Sequence, residues 1–299
     1  MERMERKDIE RAIIKTYRKE LWSAFTRAVR TYDLIRDGDK IACCISGGKD
    51  STLLAKLFQE MLRHGKKNFD VVFLVMNPGY NDNNLRLIQE NAAHLGIPIE
   101  VFDSDIFAVV DEADAKGHHL DKNRRSKTSS PCYLCARMRR GALYDRAGKL
   151  GCNKIALGHH YDDVIETILM GMLYGGQIQT MMPKLRSTNF PGMELIRPLY
   201  LVREHDILRW KEACGLQFIR CACRLTEKWD PTAEGAGEAL LPDTGYKRLE
   251  TKRLIAELKK RSPYIESNIF KSVENVHLGA ITGYKDREGK RHSFLDEYT

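Results

Sequence analysis

A short polar stretch of this sequence has residues suited to holding a phosphate group. Residues 46–51 read Ser-Gly-Gly-Lys-Asp-Ser, after an apolar run at 40–43 and before apolar residues of helical spacing at 53–62. This order predicts a strand, a tight turn and a helix. The N–H groups of the turn, the positive end of the helix and the charge of Lys49 favour a phosphate, and adjacent glycines let its oxygens approach the backbone.

Asp50 lies inside this turn and points to a metal ion. A carboxylate beside a phosphate is repulsive unless a divalent cation lies between them, so Asp50 predicts magnesium. The pattern differs from the Walker loop, because the glycines are adjacent and Asp50 separates the lysine from the serine. The alternative is a Gly-Gly turn that only starts a helix.

The remaining apolar runs predict how this turn is positioned. Four of them are candidate strands: 70–76, 98–102, 153–158 and 194–199. Because they alternate with helical segments, we expect an α/β fold with a Rossmann-like parallel sheet and helices on both faces. Ligands of such sheets bind beyond the carboxyl ends of the strands. The turn at 46–51 should therefore share a site with whatever follows Met76 and Leu157.

Three regions are expected along the 299 residues. Residues 1–36 should form an N-terminal helical region, and residues 37–223 the α/β domain. Residues 224–299 should form an insertion loop followed by a C-terminal helical region. Within the last region, 224–247 lacks periodicity and predicts a surface loop, whereas helical spacing returns from 248.

The composition predicts a cytoplasmic protein without a membrane partner. No apolar run is long enough to span a bilayer, and residues 1–6 lack the hydrophobic segment of a signal peptide. Structural disulfides are then not expected among the eight cysteines. Four of them lie in apolar surroundings and should be core residues: Cys43, Cys44, Cys152 and Cys214.

Positive charge is concentrated in one segment. Residues 116–149 contain ten Lys or Arg side chains against Asp121 and Asp145, a net charge of +8, which equals the formal charge of the whole chain. Such a cluster is typical of a surface that binds a polyanion, and nucleic acid is the leading candidate. A solvated basic face without a partner is the alternative.

A second polar cluster follows the predicted strand at 153–158. His159 could contact phosphate, and Asp162 and Asp163 open a helix, where capping alone would explain them. Their position at the carboxyl end of a strand favours function instead. We expect one carboxylate to face the phosphate turn and to hold magnesium or orient a substrate.

Two cysteine pairs suggest a metal centre. Cys132 and Cys135 form a C-x-x-C pair in the basic segment, and Cys221 and Cys223 form a C-x-C pair. Three thiolates suit an iron–sulfur cluster that leaves one iron open. A four-thiolate zinc site and a redox pair are the alternatives, although C-x-C is atypical of zinc ribbons.

The stretch at 46–51 resembles the PP-loop of the ATP pyrophosphatase superfamily, whose members cleave ATP between the α- and β-phosphates and adenylate a substrate. Gly158, His159, Asp162 and Asp163 match its G-H-x-x-D-D element. The resemblance implies catalytic roles for Lys49, Asp50 and Asp162, with Asp50 and Asp162 holding magnesium. The implied ATP ligands are Ser46, Gly47, Gly48, Lys49, Asp50, Ser51, Met76, Gly158, His159 and Asp163.

The order of motifs is similar to that of the tRNA 2-thiocytidine synthetase family. Besides the elements above, it includes Arg-x-Arg-Arg-Gly at 137–141, Tyr-Gly-Gly at 174–176 and Met-Pro-Lys-Leu at 182–185. The resemblance implies a 4Fe-4S cluster held by Cys132, Cys135 and Cys221. It also implies tRNA as substrate, and we expect Arg137, Arg139 and Arg140 to bind it. The chain departs from the family at its second cysteine pair, which is C-x-C rather than C-x-x-C.

The expected function is therefore ATP-dependent tRNA sulfurtransfer to a cytidine of the anticodon loop. A PP-loop enzyme acting on another tRNA base or a free nucleobase is the alternative enzyme, and an iron–sulfur sensor that binds nucleic acid is the non-enzymatic one. Expected partners are tRNA, ATP and a sulfur donor such as a cysteine desulfurase, with a homodimer as one option for the assembly.

The cysteine pattern yields a first test. We expect iron in the anaerobically reconstituted protein to be lost in Cys132→Ala, Cys135→Ala and Cys221→Ala, and retained in Cys223→Ala, because a fourth thiolate would close the open iron. Iron content and charge-transfer absorbance measure this. Loss in Cys223→Ala but not in Cys221→Ala would shift the ligand set, and stoichiometric zinc without iron would exclude a cluster.

Overall fold

A computed structural model describes residues 3–115, 131–219, 243–286 and 288–295. Its N-terminal helical segment starts with α1 (Arg6–Arg11) and ends with α2 (Ser23–Thr31), joined by two π-helical turns (Ala12–Thr16 and Arg18–Trp22). This segment corresponds to most of the helical region that the sequence predicts before residue 37.

Six strands form the main sheet: β1 (Lys40–Ile45), β2 (Asp70–Asn77), β3 (Ile99–Asp103), β4 (Lys154–Ala156), β5 (Lys184–Arg186) and β6 (Glu194–Ile196). Their order is β3-β2-β1-β4-β6-β5. All neighbouring pairs are parallel except β5 and β6, which are antiparallel. The predicted parallel α/β sheet is confirmed, and the short edge strand β5 is an addition that the sequence analysis did not foresee.

Eight further α-helices follow β1 in the described ranges: α3 (Lys49–His64), α4 (Asp82–Leu95), α5 (Ile106–Ala115), α6 (Pro131–Lys149), α7 (Tyr161–Gly175), α8 (Glu204–Ala213), α9 (Asp243–Arg261) and α10 (Ile265–Ser272). A 3₁₀ turn (Leu278–Ala280) and the hairpin of β7 (Gly283–Lys285) and β8 (Arg291–Ser293) complete the described part of the chain. The sequence analysis predicts a helical region after the loop at 224–247, whereas the structure adds this 3₁₀ turn and hairpin to the helices.

Alternate residues of β1 pack into different hydrophobic clusters. Ile41 and Cys43 belong to a cluster with the N-terminal segment, α3, α4 and α8. Ala42 and Cys44 belong to a second cluster with residues of α6, such as Tyr144. Because successive side chains of a strand point to opposite faces, the sheet is covered by helices on both faces, as predicted.

The four cysteines expected in the core are buried. Burial raises the pKa of Cys44 to about 12 and that of Cys214 to about 11. These thiols are therefore protonated near neutral pH and are poor metal ligands or nucleophiles. Their interpretation as core residues is confirmed.

The chain divides into two compact units. One comprises Met1–Val164 and Met181–Lys247, and the other comprises Ile165–Thr180 and Arg248–Thr299. In the second unit, the buried Glu166 accepts a hydrogen bond from Arg248 at 2.7 Å. The predicted boundaries at 36 and 223 stay predictions.

The predicted loop at 224–247 needs one correction. Residues 220–242 lie outside the described part of the chain, but α9 already begins at Asp243. The last five residues of the predicted loop are therefore helical. The prediction was wrong there because Asp243, Thr244 and Gly245 interrupt the apolar spacing and are more typical of turns.

A buried ion pair joins the N-terminal segment to α3. The fully buried Lys56 donates hydrogen bonds to Glu10 Oε1 at 2.7 Å and to the Leu95 carbonyl at 3.0 Å. Burial by itself would raise the pKa of Glu10, but hydrogen bonds from Arg63, Lys56 and Arg6 lower it from 4.5 to about 2. The carboxylate form thus stabilises the fold at neutral pH.

Glu10→Gln should lower the free energy of unfolding at pH 7 by about 3 kcal/mol, because it leaves the buried ammonium of Lys56 without its counter-charge. The stabilisation by Glu10 is complete above pH 4.5 and is lost as the pH falls towards 2, so the variant should lose less stability over that range. Urea unfolding at several pH values measures both effects.

The matched control is Glu90→Gln on α4. Glu90 is exposed and lies 4.0 Å from Arg86, so the same substitution should change stability by less than about 0.5 kcal/mol. Equal losses of unfolding free energy in the two variants would show that the buried Glu10–Lys56 pair stabilises the fold no more than an exposed ion pair does.

Candidate active site

The loop between β1 and α3 has a backbone that only glycine accommodates well. Gly47 has a φ of 82°, in the left-handed region. A Cβ there would also lie 2.6 Å from Cγ1 of Ile88 on α4. The loop therefore packs directly on α4, and Gly47 satisfies both the backbone and the packing requirement.

Hydroxyl groups hold the loop closed. Ser51 Oγ accepts a hydrogen bond from the N–H of Ser46 at 3.1 Å and donates one to the Gly48 carbonyl at 3.1 Å. Thr52 Oγ1 donates to the same carbonyl at 3.0 Å. The first N–H groups of α3 have no partners within the helix, so this closed loop presents them as donors to an anion.

Lys49 lies between two carboxylates. Its Nζ is 3.1 Å from Asp50 Oδ2 and 3.1 Å from Glu204 Oε1, at the start of α8. Burial would lower the pKa of Lys49, but the two carboxylates raise it above its usual value. Lys49 is thus held as a cation beside the loop.

Asp50 has one oxygen without a hydrogen-bond partner among the described residues. Its Oδ1 is buried and makes no hydrogen bond, and burial raises the pKa of the carboxyl group. An unsatisfied carboxylate oxygen beside a phosphate-binding loop has the chemistry of a magnesium ligand, since Mg²⁺ is often held by one or two carboxylates and the phosphates of a substrate. No cluster of three metal-ligating side chains occurs in the described ranges.

The segment that follows β4 packs against this loop. A Cβ at Gly158 would lie 2.9 Å from the backbone nitrogen of Ser51 and 3.1 Å from the carbonyl carbon of Asp50. Only a residue without a side chain permits this approach. It brings the carboxyl ends of β1 and β4 to one site, as the sequence analysis expects.

The two adjacent aspartates point to different neighbours. Asp162 accepts hydrogen bonds from Arg203 Nη2 at 3.1 Å and from the N–H of Glu204 at 2.7 Å, so it holds the start of α8. Asp163 lines the cavity described below, and its Oδ2 accepts from the N–H of His160 at 3.0 Å. The geometry thus brings Asp163, and not Asp162, to the cavity wall. The catalytic and magnesium-binding roles of Asp162 stay predictions.

A cavity of about 430 Å³ opens at the carboxyl ends of the strands. Its lining includes seven predicted ATP ligands: Ser46, Asp50, Ser51, Met76, Gly158, His159 and Asp163. Gly47 and Gly48 lie in the same loop, and Lys49 opens the helix that follows it. The volume is within the range of small-molecule sites.

Comparison with known proteins decides the family. The PP-loop domain family matches residues 17–228. A tRNA-cytidine(32) 2-sulfurtransferase of Pelobacter propionicus is 33% identical over 87% of this chain and 86% of its own length. One of Coxiella burnetii is 35% identical over 88% of this chain and 91% of its own length. This chain belongs to that PP-loop family.

A solved structure shares the fold. The U34-tRNA thiolase NcsA from Methanococcus maripaludis, with its [4Fe-4S] cluster, superposes with a TM-score of 0.58 at 22% identity, covering 89% of this chain and 80% of that one. The family, the fold and the class of ATP-dependent transferase predicted from the sequence are confirmed. None of the helices that the structure describes is long and apolar enough to cross a bilayer.

One face of α6 forms the far wall of the PP-loop cavity. Ala136, Arg139, Arg140 and Leu143 line it, at the spacing of one helix face. Arg137 is exposed and is not among the lining residues. The three arginines predicted to bind tRNA therefore divide into two inside the cavity and one outside it.

The C-x-x-C pair lies at the start of α6. The helix begins at Pro131, so Cys132 and Cys135 are one turn apart, next to the cavity-lining Ala136. Cys135 is half-buried and packs against a cluster that contains Met76. The side chain of Cys132, and all of Cys221 and Cys223, lie outside the described part of the chain. Cys132 and Cys135 thus lie within one helix turn, next to the cavity lining, and their role as cluster ligands stays a prediction.

Two residues in the site were missed by the sequence analysis. His160 is buried, and its Nδ1 accepts from the N–H of Asp163 at 3.3 Å. Its Nε2 lies 3.9 Å from Asp50 Oδ1 and 3.9 Å from Glu204 Oε1. His160 belongs to a quoted motif, so a signal existed. Glu204 stands 155 positions after Lys49, and no local pattern marks it.

Gly158→Ala should weaken ATP binding at least about 10-fold, because the added methyl group would push the β4 segment away from the backbone of the PP-loop. Isothermal titration with a non-hydrolysable ATP analogue measures this. The control is Gly148→Ala in α6, where a Cβ meets no atom within 4 Å and should leave ATP affinity unchanged and helix stability equal or higher. Unchanged affinity in Gly158→Ala would show that the close approach is not required.

Proposed function

We propose that this chain is an ATP-dependent tRNA sulfurtransferase that replaces the 2-oxo group of a cytidine in the anticodon loop with sulfur. The observation that carries the proposal is the shared cavity: the PP-loop forms one side, and the C-x-x-C helix α6 forms the other. One cavity can thus serve both the activation of a base and the delivery of sulfur. The relatives named tRNA-cytidine(32) 2-sulfurtransferase support this substrate class.

The chemistry divides into two displacements. The cytidine O2 attacks the α-phosphorus of ATP and pyrophosphate leaves, which makes O2 part of a good leaving group. A sulfide then adds to C2 and AMP departs with the former O2, so the C2–O bond is exchanged for a C2–S bond without net oxidation or reduction.

The residues of the loop have defined roles in the first displacement. The N–H groups at the start of α3, together with Lys49, hold the phosphates and neutralise charge as pyrophosphate leaves. Asp50 would hold magnesium through its unpartnered oxygen. The Nε2 atom of His160 lies 3.9 Å from both Asp50 Oδ1 and Glu204 Oε1, so an imidazolium there would offset part of the negative charge of these carboxylates.

The second displacement requires a protected source of sulfide. When bound by Cys132, Cys135 and Cys221, a 4Fe-4S cluster with one open iron would supply that sulfur. The half-buried Cys135, beside the cavity-lining Ala136, fits this role. The cysteine desulfurase as sulfur donor, the homodimer and the cytoplasmic location stay predictions.

The proposal predicts which nucleoside depends on this chain. Mass spectrometry of tRNA nucleosides should show 2-thiocytidine in cells that carry the wild-type gene, and its loss in cells with Asp50→Ala or no gene. In vitro, Asp50→Ala should reduce AMP formation by about 100-fold or more, since it removes a metal-bridging group. The control is Asp145→Ala on α6, an exposed acid paired with Lys149.

The alternatives give different outcomes. Loss of another thiolated nucleoside would indicate a different base. An unchanged nucleoside profile together with RNA binding would indicate a sensor. Wild-type AMP formation by Asp50→Ala would remove the loop from the proposed chemistry.

A further inference from the structure

A second group of cationic side chains lies at the cavity, apart from the PP-loop. Arg140 lines the wall formed by α6. Arg197 follows β6, whose carboxyl end is at the same edge of the sheet as those of β1 and β4. The N–H of the cavity-lining Leu157 donates to the Ile196 carbonyl at 3.0 Å, so Arg197 begins directly beside the cavity lining.

Arg197 is held with part of its guanidinium unsatisfied. Its Nη1 donates to the Met182 carbonyl, while its Nε is buried and has no hydrogen-bond partner among the described residues. A buried donor without an acceptor is costly, and guanidinium groups bind phosphate through two parallel hydrogen bonds. The group is therefore oriented by one bond and retains donors for an anion.

Arg140 and Arg197 lie close enough to repel each other. Burial and the charge of Arg140 lower the pKa of Arg197 to about 10, so both remain cations near neutral pH. Both charges also act on the hydroxyl of Tyr144, whose ring stacks on Phe190 at 4.9 Å and supports this wall of the cavity. An anion between the two guanidinium groups would relieve the repulsion.

The described residues provide little compensation for this charge. No hydrogen bond or ion pair within the described ranges joins Arg140 to another side chain. Asp163 is a nearby carboxylate that acts on Arg197, and its Oδ2 already accepts the N–H of His160. The pair thus keeps a net positive charge.

We infer that Arg140 and Arg197 form a second anion site, which binds a phosphodiester group of the RNA next to the nucleotide whose base enters the cavity. The inference rests on the proposed function for its substrate. ATP is the other possible source of a phosphate group. RNA is favoured because β6 is two strands, about 10 Å, from β1 and the PP-loop, which has its own donors for the phosphates of ATP.

A target nucleotide reaches the α-phosphate only when its base enters the cavity, and its flanking phosphates then come to the cavity mouth with it. Binding one of them orders the nucleotide before the reaction. The arginine pair is therefore a positioning site for RNA, and it differs from Arg137, which is exposed and is not among the residues that line the cavity.

The test uses the full chain, reconstituted anaerobically, with unmodified tRNA transcript, ATP and sulfide for turnover, and a non-hydrolysable ATP analogue for the binding measurement. Arg140→Ala and Arg197→Lys should each raise the KM for tRNA about 10-fold and leave the affinity for the ATP analogue without RNA within about twofold. Arg140→Ala, which removes a charge, should also reduce the slope of log affinity against log salt by about 0.7, whereas Arg197→Lys keeps the charge and should leave that slope unchanged. Retained analogue binding also shows that each variant is folded. If Arg197→Lys does not fold, Arg140→Ala alone decides, since its side chain is exposed on α6.

The matched control is Arg186→Ala. Arg186 pairs in register with Glu194, at the amino end of β6, so the substitution removes the same charge from the opposite edge of the sheet and should leave the KM unchanged. Weaker binding of the ATP analogue with an unchanged KM for tRNA would show that the two arginines bind ATP instead of RNA. If the wild type is active and both variants have its KM for tRNA, the inference is wrong and the proposed function stands. If the wild type neither binds nor thiolates tRNA, the proposed function is wrong as well.

Discussion

The close approach of two backbone segments determines the architecture of the site. Gly158, after β4, lies against the first turn of α3, where any Cβ would meet the backbone of Asp50 and Ser51. This contact fixes the distance between the phosphate-binding loop and the start of α7. His160 and Asp163 follow within five residues, so their positions relative to Lys49 and Asp50 depend on it. The sheet aligns the strand ends, but the absence of a side chain at one position sets the spacing.

Ion pairs and hydrogen bonds hold the charged side chains of the site in the positions to which backbone packing brings them. The loop places Asp50, the proposed magnesium ligand, beside Lys49, the proposed phosphate ligand, and these opposite charges attract each other. Glu204 shares Lys49 with Asp50, and His160 lies between the carboxylates. Asp162 contributes indirectly, because it anchors the first turn of α8, from which Glu204 extends.

Much of this arrangement is visible in the sequence, and the exceptions have physical causes. The strands β1 and β2 are continuous apolar runs, because both of their faces are buried. The helix α6 escaped prediction because the face at 136, 139, 140 and 143 lines the cavity and includes two arginines, so no apolar period appears. Strand β5 has three residues, two of them exposed. The different orientations of Asp162 and Asp163 depend on Arg203 and Glu204, some 40 residues later, which no local pattern reveals.

The ion pair of Lys49 with Glu204 has a consequence for turnover. Under the proposed function, the carboxylate of Glu204 acts as an internal counter-ion for Lys49, in the role that a phosphate oxygen would take when ATP binds. If pyrophosphate leaves this loop as proposed, the carboxylate of Glu204 would replace the departing anion beside Lys49. The exchange would lower the affinity of the loop for phosphate and would also remove an electrostatic barrier to product release. The same loop would then both bind the phosphates of ATP and release pyrophosphate.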